Sequence, residues 1–358
     1  MPAPPLSSLV LCSIVFVFVS RPSAAFSLGH LHAHRATTEG IPPWSCDEIT
    51  PGMCSDLSQM TGTVSVRNLS VRYWVYTARK GPESGKLPLV VVHGGPAFTH
   101  NYLLPLKQQA CRGREVIFYD QAGCGDSQRV ANVTKDAPWL LTVKYYVEEL
   151  ETVVSHLGVE KFHLLGNSWG GMLVMLYALS KFNERIVSLI VSGGLSDTQF
   201  YIHAQEEYLH TTLPVPTQRF MEEIRKTGRY DDPKYQDLVK HLTGMWTIRT
   251  YPWPTCYVKC HEKQNVEIYA LMQGDDEFTA GGVLSHVNFT EHLRRINVPV
   301  LMTHGRFDTM TASQQENMAK EIRGVKVIEY EHSGHLTMID DAGKFNDDVA
   351  TFMLINEK

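Results

Sequence analysis

The chain has 358 residues, of which 43% are hydrophobic and 20% charged, and its formal net charge at pH 7 is −5. This length and apolar content suffice for a sizeable core, in one large domain or in one domain with an insertion. The charges form no long run of one sign and no basic tail, so a nucleic-acid partner is not expected.

Residues 1–25 are predicted to form a signal peptide. The apolar run "SSLVLCSIVFVFVS" has signal-peptide length, and Ser23 and Ala25 fit the small-residue pattern of a cleavage site. The mature chain would begin near Phe26. The alternative is an uncleaved signal anchor, for which the run is short. We therefore predict a secreted protein, or one of the secretory pathway, without membrane contact after cleavage.

The asparagines and cysteines of the remaining chain agree with secretion. Asn68, Asn132 and Asn288 each begin an Asn-X-Ser/Thr sequon, the acceptor for N-glycosylation. Of the 7 cysteines only Cys12 lies in the signal segment, which leaves an even number. These could pair or stay buried free thiols, and no set has the spacing of a zinc site. If they pair, Cys46/Cys54 and Cys256/Cys260 are close enough in sequence to close small loops, and Cys111/Cys124 would be the third pair.

The next segments predict an irregular lead-in followed by strands. Residues 26–60 are rich in His, Pro and Ser and show little periodicity. "TGTVSVRNLSVRYWVYTAR" alternates around "NL", as a hairpin does. "LPLVVVHGG" (87–95) and "EVIFYDQAGCG" (115–125) are continuous apolar runs, typical of strands buried on both faces. Residues 143–158 have helical spacing and end in glycine.

The rest of the chain alternates between strands and helices, with one interruption. "KFHLLGNS" and "RIVSLIVSGG" predict strands on either side of the helix "GGMLVMLYALSKF". The alternation resumes with strands at 298–308 and 325–331 and helices near 312–322 and 342–355. This order predicts an α/β protein with a mostly parallel, doubly wound sheet. We interpret residues 195–293 as an inserted helical cap between core segments 61–194 and 294–358.

Gly166-Asn167-Ser168-Trp169-Gly170 places a serine between a strand and a helix. G-x-S-x-G in this setting is the nucleophile elbow, in which small neighbours allow a sharp turn that exposes the serine hydroxyl. Ser168 is the predicted nucleophile. The alternative is a small-residue turn at a close helix–strand contact.

A nucleophilic serine needs a base and a group that orients the base. In this fold the chain order is serine, acid, histidine. Asp308 follows the strand "VPVLMTH" and His335 follows the next strand, so both fit that order. Asp308 could instead only cap a turn. His332 competes with His335, which we prefer because "SG" gives the chain its turn toward the site.

The oxyanion of a tetrahedral intermediate requires hydrogen-bond donors. The backbone N–H groups of Trp169 and Gly95 are the candidates, and neighbouring Gly94 is assigned to substrate binding. His93 and His163 are interpreted as structural residues. The phosphate-binding G-x-x-x-x-G-K-[ST] pattern is missing, and no cofactor or metal is expected.

Five motifs in order resemble the proline iminopeptidase family of α/β-hydrolases: "HGGPAFTHNYLLPL", "VIFYDQAGCGDS", "GNSWGG", "GRFD" and "SGHLTM". The likeness covers about residues 62 to 355 and is greatest with the tricorn-interacting aminopeptidase group. It implies the α/β-hydrolase fold, the triad Ser168, Asp308 and His335, and the oxyanion donors named above.

The resemblance also implies that cap acids hold the free amino group of the substrate. Glu277 in "DDEF" matches one such position, although it could be a solvated surface residue. The sequence departs from the family pattern at Thr309, where the tricorn-interacting group has a second acid that Asp276 could replace. It departs further at Ala97 of "HGGPA" and at Ala122.

The predicted function is a serine hydrolase that releases an N-terminal, proline-type residue from short peptides or amino-acid amides through an acyl-enzyme. One alternative is a carboxylesterase, lactonase or acyltransferase acting on a small acyl substrate. The other is a non-catalytic binding module on a hydrolase scaffold. The expected partner is therefore a small molecule or a short peptide, and the sequence leaves the oligomeric state open.

Overall fold

The computed structural model of the protein describes residues 43–79, 81, 83, 86–278 and 280–357. The predicted signal peptide and the first part of the lead-in lie outside these residues. None of the helices within the described ranges has the length and apolarity that crossing a membrane requires. The strands are Leu57–Val66 (β1), Leu69–Ala78 (β2), Leu89–Val92 (β3), Val116–Tyr119 (β4), Phe162–Asn167 (β5), Ile186–Ser192 (β6), Val300–Gly305 (β7) and Lys326–Tyr330 (β8).

These strands form one sheet in the order β1-β2-β4-β3-β5-β6-β7-β8. β2 pairs antiparallel with β1 and β4, and all the other pairs are parallel. Along β3, Val90 and Val92 join one hydrophobic core, and Leu89 and Val91 join the core on the opposite face. Burial on both faces explains the continuous apolar run. The mostly parallel, doubly wound sheet is confirmed.

The hairpin turn between β1 and β2 lies one residue earlier than the sequence suggests. Val66 pairs with Leu69, which leaves Arg67 and Asn68 as the turn residues, with φ of 45° and 69°. A two-residue turn of this kind needs positive φ at both positions. Leu69 instead begins β2 with a buried side chain. Burial of that leucine therefore sets the register.

Most of the predicted cap is helical in the structure. Five α-helices lie between β6 and β7, together with shorter helical turns, and the described part of this stretch contains no strand, only isolated bridges. The limits of the cap at residues 195 and 293 stay predictions. The α-helices are Gln108–Cys111 (α1), Val133–Asp136 (α2), Val143–His156 (α3), Trp169–Leu179 (α4), Thr198–Thr212 (α5), Val215–Thr227 (α6), Pro233–Leu242 (α7), Thr255–Glu262 (α8), Val266–Met272 (α9), Ala312–Ala319 (α10), Thr337–Asp340 (α11) and Ala342–Ile355 (α12).

The predicted disulfide pairs are wrong. The fold brings the segment before β1 against α1 and α8, and this proximity does not follow from closeness in sequence. The interpretation of some cysteines as buried free thiols holds for two of them. The structure joins Cys46 to Cys256 and Cys54 to Cys111, and leaves Cys124 and Cys260 buried and free.

The sequon asparagines Asn68, Asn132 and Asn288 are all exposed. Exposure is necessary for a glycan to be carried on the folded surface, but it does not show that one is attached. Glycosylation and secretion therefore stay predictions.

Candidate active site

Ser168 lies at the junction of β5 and α4 with φ 59° and ψ −125°. L-residues rarely adopt this backbone conformation, so the surrounding structure must hold it. The neighbouring glycines make room for the turn. A Cβ atom on Gly166 would lie 2.1 Å from the carbonyl oxygen of Gly170, and one on Gly170 would lie 2.3 Å from that of Val92. Close packing of β3, β5 and α4 therefore requires glycine on both sides of the serine.

Side chains interlock the loops that follow β3, β4 and β5 around Ser168. The Tyr102 hydroxyl accepts the Gly94 N–H at 2.7 Å and donates to Asn167 Oδ1 at 2.9 Å. The indole N–H of Trp169 donates to Gln121 Oε1 at 2.9 Å. These buried bonds connect each loop to the serine turn, and the turn is thereby fixed relative to the end of the sheet.

His335 is oriented by Asp308. Its Nδ1 lies 2.9 Å from both carboxylate oxygens of Asp308. Its buried Nε2 has no hydrogen-bond partner within the described part of the chain. Burial lowers the pKa of His335, but the charge and hydrogen bond of Asp308 and the charge of Glu277 outweigh it, so that the pKa is raised. The competing His332 is exposed, and the geometry favours His335 as the base.

One pocket brings together four of the predicted site residues, namely Gly95, Ser168, Trp169 and Glu277. It encloses about 300 Å³, a volume that includes space open to solvent. Most of its other walls are apolar. The remaining lining residues are Met172, Leu195, Thr198, Gln273, Leu284 and Met310.

Two backbone N–H groups of this pocket are available as donors. Trp169 is the first residue of α4, where no carbonyl of the helix can accept its N–H. The Gly95 N–H makes no hydrogen bond to any residue in the described ranges. Gly94 packs against Ser168, and its N–H and carbonyl already bond to Tyr102 and His93. A substrate contact of Gly94 stays a prediction.

Glu277 lies in the turn after α9 and is half-buried. Its Oε2 accepts the Tyr269 hydroxyl at 3.0 Å. Burial raises the pKa of Glu277, as do the charges of Asp308 and Asp276, whereas the charge of His335 and the Tyr269 hydrogen bond lower it; the net shift is upward. The site thus holds a partly desolvated carboxyl group in the wall of the Ser168 pocket.

Asp276, the candidate for a second cap acid, does not line the pocket. Its Oδ2 accepts the Tyr235 hydroxyl at 2.6 Å, and its Oδ1 accepts the N–H of Phe278 at 2.8 Å. Both carboxylate oxygens are therefore engaged, one by Tyr235 of α7 and one by the backbone of its own turn.

The structure adds residues to which the sequence assigns no role, above all Tyr102 and Tyr269. His93 and His163 are structural, as predicted. His93 Nε2 accepts the Gln121 N–H at 2.9 Å, and burial lowers the pKa of His93 to about 4. His163 is fully buried in β5. Within the described residues, no group of three or more His, Cys, Asp or Glu side chains could hold a metal ion.

Comparison with known proteins gives a consistent family. A family model of the alpha/beta hydrolase fold matches residues 88–214. The chain is 34% identical over 278 residues to a proline iminopeptidase of Lactobacillus helveticus, covering 76% of this chain and 92% of the relative. It is 32% identical over 287 residues to that of Thermoplasma volcanium, covering 80% and 93%.

A solved structure extends the likeness to three dimensions. The proline iminopeptidase of Mycobacterium smegmatis has a TM-score of 0.76 at 27% identity, covering 83% of this chain and 99% of that one. The α/β-hydrolase fold implied by the sequence motifs is confirmed.

Proposed function

Because the chain belongs to the proline iminopeptidase family of α/β-hydrolases, we propose that it is a serine aminopeptidase releasing N-terminal residues, proline foremost, from short peptides or amino-acid amides. Family membership makes it a hydrolase of the peptidase type. The observation that carries the finer proposal is the shared pocket of Ser168 and Glu277. It combines a serine turn with a carboxyl group that can bind an ammonium.

In the proposed reaction, Ser168 Oγ attacks the acyl carbonyl while His335 Nε2 accepts its proton. His335 then donates that proton to the leaving amine. Asp308, 2.9 Å from Nδ1, keeps the imidazole in the required tautomer and stabilises its charged form. The unpartnered Nε2 is the atom that this role requires.

The backbone N–H groups of Gly95 and Trp169 would stabilise the oxyanion. They can be directed at developing charge without reorganisation, because the interlocked loops fix them before the substrate arrives. Collapse of the tetrahedral intermediate expels the amine and leaves an acyl-enzyme. Water activated by His335 then releases the free amino acid.

Glu277 would bind the substrate's free amino group by a charge-assisted hydrogen bond. The apolar walls formed by Met172, Leu195 and Leu284 would take the side chain of the N-terminal residue. A pocket beneath the helical cap would favour short substrates over folded proteins.

The proposal is tested with pairs of arylamides that differ only in the amino group. Prolyl, alanyl and leucyl arylamides are compared with their N-acetylated counterparts, and kcat/KM is measured for each. We expect the free amines to be hydrolysed about 10- to 100-fold faster, because a hydrogen bond to a charged group contributes that much. Equal or faster turnover of the acetylated compounds would contradict the proposal.

The replacement of an acid by Thr309 favours one other candidate. With fewer negative groups for an ammonium, the same triad could act on small acyl esters or lactones, or transfer the acyl group. Hydrolysis of simple acyl esters with none of aminoacyl amides would support this esterase, lactonase or acyltransferase function.

A further inference from the structure

Two side chains on α5, Tyr201 and Gln205, hold the turn that carries Glu277. The Tyr201 hydroxyl donates to the backbone carbonyl of Glu277 at 3.1 Å, and Gln205 Nε2 donates to the same oxygen at 3.0 Å. Gln205 Nε2 also donates to the Tyr201 hydroxyl at 2.6 Å. A carbonyl oxygen has two lone pairs, so both acceptor positions of the Glu277 carbonyl are used.

The pair is buried, with Tyr201 0% and Gln205 2% exposed. Polar groups cost free energy in such a place unless they are hydrogen-bonded. The residues are one helical turn apart and therefore lie on the same face of α5. Both donors of the Gln205 amide act in this cluster, on the Tyr201 hydroxyl and on the Glu277 carbonyl. The hydrogen bonds that hold the Glu277 turn therefore also satisfy the buried polar groups of Tyr201 and Gln205.

Tyr201 also contacts the loop that carries Asp308, the acid of the proposed triad. Thr309, which directly follows Asp308, is 3% exposed, and its side chain interacts with the Tyr201 hydroxyl. Tyr201 therefore connects the loop that orients His335 with the turn of Glu277.

We infer that Tyr201 and Gln205 are positioning residues that set the preference for a free amino group by fixing the Glu277 carboxylate relative to Ser168. The inference rests on the amino-group role proposed for Glu277. Neither residue lines the pocket, and both bond to the backbone carbonyl of Glu277. Their effect must pass through the Glu277 turn, and the chemical step at Ser168 should proceed without them.

The test measures kcat and KM for prolyl arylamide and its N-acetyl counterpart in the wild type and in variants. Tyr201→Phe and Gln205→Met each remove donors to the Glu277 carbonyl. We expect the KM of the free amine to rise about 3- to 10-fold with kcat/KM of the acetylated compound unchanged, since a neutral hydrogen bond contributes about that much. Glu277→Gln should lower the selectivity, the ratio of kcat/KM for the free amine to that for the acetylated compound, about 10- to 100-fold.

Tyr330→Phe is the matched control. It also removes a buried tyrosine hydroxyl, one that donates to Asp348 at 2.9 Å away from the pocket, and should leave the selectivity unchanged. A general loss of folding would instead slow both substrates equally.

A double variant decides whether Tyr201 acts through Glu277. If it does, adding Tyr201→Phe to Glu277→Gln changes the selectivity no further, because residues of one network are not additive. A further loss of selectivity in the double variant overturns the inference. So does full selectivity in Tyr201→Phe and Gln205→Met, if Glu277→Gln has lost its selectivity. Unchanged selectivity in Glu277→Gln itself rejects the proposed amino-group role instead.

Discussion

The two sides of the pocket are built in different ways. On the sheet side, Ser168 is held by buried side-chain bonds and by close backbone packing, since a Cβ atom on Gly166 or Gly170 would lie 2.1 or 2.3 Å from a carbonyl oxygen. On the helical side, the turn around Glu277 is held by side chains from four separate helices. These are Tyr201 and Gln205 of α5, Arg225 of α6, Tyr235 of α7 and Tyr269 of α9.

This difference separates the chemistry from the choice of substrate. A change on the sheet side disturbs backbone shared by several strands, and we expect it to abolish the reaction. A change on the helical side removes one side-chain bond among several. The substrate preference can therefore be altered stepwise while the catalytic geometry stays intact.

The largest expected effect is that of Ser168→Ala. Removing the nucleophile should lower kcat by roughly 10⁴-fold or more on amides and esters alike, as loss of a triad residue does. The thermal unfolding midpoint should change little, because the substitution removes one small hydroxyl. The measurement is kcat for prolyl arylamide and an acyl ester on the same preparation. Retention of substantial activity would place the nucleophile elsewhere.

The sheet side could be predicted from the sequence because each residue of the predicted triad follows a recognisable strand. Ser168, Asp308 and His335 each follow a strand of the parallel sheet, so strand order alone brings them to one edge. The flanking glycines of the serine turn are part of the same short motif. Short motifs at strand ends are therefore enough to predict where these residues meet on the sheet side.

The helical side could not be predicted in the same way. The contacts of Tyr201 and Gln205 with Glu277 span more than 70 residues of chain and depend on how α5, α7 and α9 pack. No periodicity encodes that packing. The disulfide between Cys46 and Cys256 has the same origin, since it joins residues 210 positions apart. Glu277 itself was found only through the family resemblance.

The second prediction tests whether the two sides are coupled electrostatically. The charge of Glu277 raises the pKa of His335. The substitution Glu277→Gln should therefore lower the pKa of His335. Because the neutral imidazole is the active base, the acid limb of the kcat/KM profile should move to lower pH. Activity on the acid side, relative to the plateau, should rise about two- to fivefold.

An acyl ester is the appropriate substrate for this profile, because it has no amino group that titrates or binds Glu277. Glu184→Gln, a substitution of an acid outside the pocket, serves as the control. An acid limb that stays in place, or moves to higher pH, would mean that the helical side does not influence the base.

The smallest expected effect is that of Asp276→Asn, which distinguishes the role of Asp276 from that of its neighbour Glu277. Its carboxylate bonds to Tyr235 and to the Phe278 N–H, and an amide oxygen can still accept one of these bonds. Selectivity for the free amine should fall less than about threefold, against the 10- to 100-fold loss expected for Glu277→Gln. The free energy of unfolding should fall by about 2 kcal/mol, since one hydrogen bond to a charged carboxylate is lost. Equal losses of selectivity in Asp276→Asn and Glu277→Gln would show that the two acids act as one charged unit. The position of the Glu277 carboxylate would then not be what sets the preference.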